Sequence, residues 1–159
     1  MKILAIESSC DETSIAIVED GKKVLSNVTY TQIEIHKQYG GVVPEVASRH
    51  HIEKVTYVLE GALQKANISL DEIDAVAVTQ TPGLVGSLMV GINTAKTIAL
   101  AFNKPIIYVN HIHGHIYANY LTNEFQFPLI ALVVSGGHTD LVYMKEDYSF
   151  EVVGTTQDD

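Results

Sequence analysis

The sequence predicts an α/β fold built as two lobes, and three observations carry that reading. Strand-like and helix-like segments follow one another in the order βββαβαβα. The opening strand–loop–strand pattern recurs 126 positions later (139 − 13). The composition, 47% hydrophobic and 18% charged over 159 residues, is that of a globular chain with a real core.

Residues 2–7, 13–19 and 23–30 read as three short β-like runs, and Asp20-Gly21 between the second and third is a hairpin signal. Gly40-Gly41 breaks the chain. Pro44 sits where a helix can start, because its missing N–H is harmless in a first turn. Val55, Val58, Leu59, Ala62, Leu63 and Ala66 then form one apolar stripe at helical spacing. Residues 75–79 read as a short buried strand closed by Pro82-Gly83, and a second helix is expected over 85–102. Its Gly86, Ser87, Gly91 and Ala95 offer a face of small residues suited to close packing. Residues 105–109 are another strand, and Asn110 is a good cap for the helix that follows.

Three further strands, 129–135, 139–145 and 149–154, overlay the N-terminus without a gap when moved back by 126 positions. Ile3-Leu4-Ala5-Ile6 falls on Leu129-Ile130-Ala131-Leu132, Ser9 on Ser135, and Thr13 on Thr139. Strand patterns coincide easily, but loop length, Ser and Thr positions and a third strand coinciding together favour duplication. Facing, duplicated hairpin loops that grip nucleotide phosphates are the plan of the actin, Hsp70 and sugar-kinase group, the actin-like ATPase fold with its RNase H-like lobes. On that plan 1–109 form the first lobe, 110–128 a helix and crossover, and 129–159 the opening sheet of a second lobe. The strands end at Gln157-Asp158-Asp159 with no helix to cover them, so the chain reads as a fragment.

Ten Lys+Arg against nineteen Asp+Glu give a formal charge of −9, which argues against a generic nucleic-acid binder. Residues 36–54 gather Lys37, Arg49, Lys54 and three of the seven histidines, a stretch read as a solvated helix face. No apolar run is long enough to span a bilayer, and the first residues lack the pattern of a signal peptide. Cys10 is the only cysteine, so no disulfide framework exists and a reducing cytoplasm is the expected compartment.

His111 and His115 are four apart on the expected helix, so both rings share one face and can hold a single cation. Such a pair is also common surface decoration. His113 points elsewhere and is expected to make either a bond that supports the metal ligands or a purely structural one. Gly114 inside the helix costs about 1 kcal/mol relative to Ala, which suggests a close approach to the backbone there. Ser135-Gly136-Gly137-His138 lies between two strands; it is either an ordinary Gly-Gly turn or a nest of N–H groups for a phosphate. As the repeat partner of the loop holding Ser9 and Thr13, the second reading gains weight. Asp11 and Glu12 in that first loop are candidates for binding a metal or a water near phosphate or for taking a proton from an attacking amine, or are plain solvated carboxylates. Cys10 reads as a packing residue rather than a nucleophile.

Ile6-Glu7-Ser8-Ser9-Cys10-Asp11-Glu12-Thr13-Ser14, Val43-Pro44-Glu45-Val46-Ala47-Ser48-Arg49, Pro82-Gly83-Leu84, Val109-Asn110-His111-Ile112-His113-Gly114-His115 and Val134-Ser135-Gly136-Gly137-His138-Thr139 together resemble the TsaD family, formerly called Gcp or YgjD and once taken for an O-sialoglycoprotein endopeptidase. Thr81 stands where a Gly is usual in that family. The resemblance spans the whole chain, about half the family's length, and implies the actin-like fold. It implies transfer of a threonylcarbamoyl group from threonylcarbamoyl-adenylate to N6 of the adenosine beside the anticodon of tRNA. It further implies an iron or zinc ion on His111 and His115 with a carboxylate from the absent half, and adenylate binding by Val134, Ser135, Gly136, Gly137 and His138. The partners it implies are a smaller actin-like paralogue, docking through the first lobe, and an ATPase.

Three rival readings remain. A zinc metallopeptidase of the HExxH kind would need Glu where Ile112 stands. A non-catalytic actin-like scaffold would need no histidine pair, and a kinase-like enzyme leaves that pair unexplained.

Overall fold

In the computed structural model of the chain, residues 1–135 and 138–157 are described, His138 and Gln157 by backbone only. The chain divides into two compact units, Met1–His111 and Ile112–Asp159.

The first unit is organised around a five-stranded sheet. Strands β1 (Lys2–Glu7), β2 (Glu12–Glu19) and β3 (Lys23–Thr31) run antiparallel, and β4 (Ala75–Thr81) and β5 (Ile106–Asn110) add on parallel to β1, in the order β3-β2-β1-β4-β5. Asp20 and Gly21 turn the second hairpin with φ of 52° and 73°, the left-handed geometry that Asp-Gly was expected to supply. Helix α2 (Pro44–Ala66) starts on Pro44 and stops at Asn67, whose φ of 55° ends the helix as a left-handed cap. It and helix α3 (Val85–Ala101) cover the sheet. Leu4, Ile6, Ile15, Ile17, Val76 and Val78 from the strands meet Val55, Val58 and Ala62 of α2 and Ala95 and Ile98 of α3 in one core. Burying each such side chain is worth about 1.5–3 kcal/mol, which is why the apolar stripe expected over 55–66 turns inward on α2.

A one-turn helix α1 (Ile33–His36) was not expected. It forms around a buried network: the His36 Nε2–H donates to Gln32 Oε1 at 3.0 Å, and the Gln32 amide donates to the Ala47 carbonyl at 3.3 Å. His36 and His51 are 3% and 0% exposed, so the reading of residues 36–54 as a solvated face is corrected for these two histidines. They are held inside because each finds partners for both ring nitrogens.

The second unit holds most of α4 (His111–Ala118) and an antiparallel sheet, β6 (Leu129–Val134), β7 (His138–Met144) and β8 (Glu151–Gln157). Its core is Ile116, Val142 and Met144, with Ala131, Val133 and Phe150 against them. Ile130, Leu132 and Val134 line the other face of β6 and are 61–69% exposed. β6 thus joins its own sheet rather than that of β1.

The two hairpins share one register. Ile3 pairs with Val18 and Leu129 with Met144, each the other's counterpart at a shift of 126 (129 − 3; 144 − 18). Thr13 pairs with Tyr30 and Thr139 with Thr156, again 126 apart (139 − 13; 156 − 30). Both second-to-third strand ladders also slip by one residue, between Ile17 and Val18 in one and between Leu141 and Val142 in the other. The two slips fall two positions apart once the copies are overlaid (17 + 126 = 143, against 141), so the shared register of the third strand ends at Ile15 and Leu141. Because a one-residue slip reverses every side chain, the registers shared up to that point support duplication better than apolar pattern does. Among the described residues no helix is long and apolar enough to cross a membrane.

Candidate functional site

The loop between β1 and β2 is tied down on three sides. The Ser8 hydroxyl donates to the Ser87 carbonyl at 2.8 Å and accepts from the Gly91 N–H at 3.1 Å, so it sits across one turn of α3. A Cβ on Gly91 would stand 2.5 Å from that oxygen, which accounts for one of the small residues on α3. A Cβ on Gly83 would stand 2.6 Å from the Ser9 carbonyl, which accepts the Leu84 N–H at 2.7 Å. Thr81, the departure from the family's pattern, pairs with Asn110 and precedes a cis peptide to Pro82. On the third side, His51 Nε2–H donates to the Cys10 carbonyl at 2.9 Å, so its Nδ1 accepts from the Thr13 hydroxyl at 2.7 Å. Burial holds His51 below its ordinary pKa, against the Cys10 carbonyl, which favours the charged form.

At the mouth of this loop Glu7, the last residue of β1, meets His111, the first of α4. One Glu7 oxygen accepts the Ser9 N–H at 2.5 Å; the other accepts the Thr79 hydroxyl at 2.5 Å and lies 3.1 Å from His111 Nδ1. Ser9 Oγ is 3.2 Å from the same nitrogen. Burial works to raise the Glu7 pKa, but the hydrogen bonds from His111, Ser9 and Thr79 prevail and hold it at about 2. The bond to Glu7 correspondingly raises His111 above its ordinary value, with burial opposing.

The other expected site residues fall as follows. Ser9 and Thr13 are buried, and the Thr13 hydroxyl is engaged by His51. Asp11 is half-buried and Glu12 exposed. Cys10 is exposed rather than packed; desolvation of the thiol and the Asp11 carboxylate push it up to about 11, far from a nucleophilic thiolate. His115 is exposed one turn along α4 from His111. His113 stacks on Phe150 with ring centroids 3.5 Å apart and planes 5° from parallel, a packing role. Among the described residues nothing lies within 4 Å of where a Cβ on Gly114 would be, so none of them accounts for the glycine. Val134 and Ser135 are exposed at the end of β6, and His138 opens β7. Gly136 and Gly137 lie outside the described residues. Among the described residues no three His, Cys, Asp or Glu side chains gather as a cation-binding group.

Sequence reasoning assigned no role to Glu7, His51 or Ser8. A carboxylate ending a central apolar strand beside a parallel neighbour was the available signal for Glu7, since ligands in open α/β sheets bind at the carboxyl ends of strands.

A β3-β2-β1-β4-β5 sheet, covered by helices and followed by a second hairpin in the same register, defines a protein of the actin-like ATPase fold class. Solved structures agree. YeaZ from Pseudomonas aeruginosa matches 99% of this chain and 68% of its own with a TM-score of 0.59 at 15% identity. The ethanolamine utilization protein EutJ from Carboxydothermus hydrogenoformans matches 99% and 52% with a TM-score of 0.57 at 13% identity. Residues 23–159 match the family model of TsaD, tRNA N6-adenosine threonylcarbamoyltransferase, and the chain belongs to that family. Proteins of that name from Staphylococcus saprophyticus and Staphylococcus carnosus are 64% and 62% identical over 157 residues, 99% of this chain. The chain spans 46% of their length.

Proposed function

We propose that this chain supplies one half of a site that transfers a threonylcarbamoyl group from threonylcarbamoyl-adenylate to N6 of the adenosine beside the anticodon of tRNA. The observation that carries the reading is the 3.2 Å contact of Ser9 with His111. It joins a loop of the kind that holds phosphate to the first residue of the helix proposed to hold a cation. In the reaction the N6 amine forms a bond to the carbamoyl carbon, the bond from that carbon to the phosphate oxygen breaks, and AMP leaves. Asp11 or Glu12 takes the amine proton. The loop that carries Ser9 and Thr13 would engage the adenylate, Thr13 doing so through its hold on the loop; the family resemblance assigns Val134 to His138 to adenylate as well.

His111 and His115 would hold one divalent ion, iron or zinc. The donor set fits, because Glu7 engages Nδ1 of His111 and a neutral imidazole then ligates through Nε2. When bound, such an ion supplies Lewis-acid polarisation of the acyl carbonyl. Two imidazoles are fewer than stable sites use, so further ligands come from elsewhere in the full-length protein. A smaller actin-like paralogue and an ATPase complete the system, in the cytoplasm. The paralogue would dock on the first lobe, where α2 and α3 leave a groove of about 570 Å³ lined by Ile52, Leu59 and Met89 among others.

The test is a chimera in which this chain replaces the matching part of the Staphylococcus saprophyticus relative, supplied with threonylcarbamoyl-adenylate, tRNA, the paralogue and the ATPase. Transfer to tRNA that disappears in His111→Ala is expected. A folded chimera that binds the paralogue yet transfers nothing would sink the reading.

A further inference from the structure

Glu7 makes more contacts than a structural anchor needs. Its carboxylate is already satisfied by the Ser9 N–H and the Thr79 hydroxyl, both at 2.5 Å, which fix it between the first loop and β4. The third contact, 3.1 Å to His111 Nδ1, reaches across 104 positions of sequence to the first residue of α4. A carboxylate has no proton to give, so Nδ1 carries the hydrogen and donates. Ser9 Oγ, 3.2 Å away, stands within reach of the same donor. The neutral ring is therefore held as the Nδ1–H tautomer, with its lone pair on Nε2.

We propose that Glu7 is a positioning residue that selects the Nδ1–H tautomer of His111 and aims its Nε2 at the divalent ion. The inference rests on the cation reading above and adds to it the group that orients the ligand. Removing such an outer carboxylate weakens metal binding about 10- to 100-fold in comparable sites. Because the same carboxylate also binds the Ser9 N–H, the cation ligand and the first loop share one support.

Glu7→Gln keeps the shape and removes the charge, and two measurements separate the possible outcomes. Nitrogen-resolved NMR of the imidazoles at pH 8 without metal should show His111 as Nδ1–H in the wild type and a loss of that preference in Glu7→Gln. Zinc titration should show about 10- to 100-fold weaker binding in Glu7→Gln at unchanged stoichiometry, and none in His111→Ala. An Nε2–H tautomer in the wild type overturns the proposal outright, whether or not the variant folds. If the variant folds with tautomer and zinc affinity unchanged while His111→Ala loses zinc, Glu7 is only an anchor and the cation reading stands. If the wild type binds no zinc although the tautomer follows Glu7, the cation reading falls, and the purpose assigned to Glu7 with it.

Discussion

Replacing Gly91 by Ala should destabilise the chain, although helix propensity alone says the reverse. Ala is favoured over Gly inside a helix by about 1 kcal/mol. The new Cβ would stand 2.5 Å from Ser8 Oγ, so the hydroxyl must leave its place between the Ser87 carbonyl and the Gly91 N–H. Two buried hydrogen bonds at about 1 kcal/mol each, plus a penalty of about 1 kcal/mol or more for an oxygen left without a partner, outweigh the propensity gain. The expected net loss is about 1–2 kcal/mol. Ser8→Ala provides the control. With the hydroxyl gone, the nearest neighbours of the new Cβ are Ile6 Cγ2 at 3.4 Å and the Cβ of residue 8 at 3.5 Å, which is ordinary contact. In that background Gly91→Ala should stabilise by up to about 1 kcal/mol, so the double-mutant cycle should show a coupling of about 2–3 kcal/mol. Urea midpoints at constant m-value measure all four proteins. Stabilisation by Gly91→Ala in the wild-type background would refute the argument, as would a cost that survives Ser8→Ala.

Gly83→Ala should cost about 1–3 kcal/mol or more, because its Cβ meets backbone, the Ser9 carbonyl at 2.6 Å, which cannot swing away; a urea midpoint close to wild type would contradict this. Burial holds His51 below its ordinary pKa of 6.5, so the unfolded chain takes the proton first. Its contribution to stability is therefore whole above pH 6.5 and is lost as pH falls from there toward the folded value; midpoints at pH 7.5 and 5.5 should differ less in His51→Gln than in wild type. Zinc or ferrous iron should bind weakly and need His111 and His115 together, with His113→Ala nearly silent because that ring stacks on Phe150. Since Glu7 raises His111 above its ordinary value, proton competition should begin to weaken that binding above pH 6.5; loss of binding in His113→Ala alone would misplace the metal face. The 159-residue chain by itself should transfer no threonylcarbamoyl group to tRNA, as half a site neither positions both substrates nor excludes water; modified tRNA from this chain and adenylate alone would disprove that.

The sheet of the first unit and both long helices were legible because burial leaves an apolar pattern. The Val55–Val58–Ala62 stripe is buried as its spacing says, whereas the unbroken apolar runs of β1 and β2 disclose strands without naming Leu4, Ile6, Ile15 and Ile17 as the buried positions. Ends were less legible, since partners set them. β4 continues past Thr79 because Thr81 pairs with Asn110, and β8 runs to Gln157 because it follows β7 back to His138. At the site, residue type disclosed His111 and Ser9, whereas Glu7 needed the knowledge that Thr79 and His111, 72 and 104 positions away, converge on it. His51 was misread for the same reason: its partners, Thr13 and Cys10, lie 38 and 41 positions back. Gly114 carries no such signal among the described neighbours, none of which lies within 4 Å of its Cβ position.

The two copies of the hairpin part company at a single rung. The second ladder closes at Val134 with Thr139, leaving four residues in its loop, while the first stops one rung earlier at Glu7 with Ser14 and leaves six. The counterparts of that missing rung are Ser8 and Thr13, one turned to α3 and the other to His51. Two strand positions have thus become guy-lines, and the wider first loop is moored through them to α3 and α2. Restoring strand residues there, with Val at position 8 as at 134, should narrow the loop's mouth and release α3 in one step.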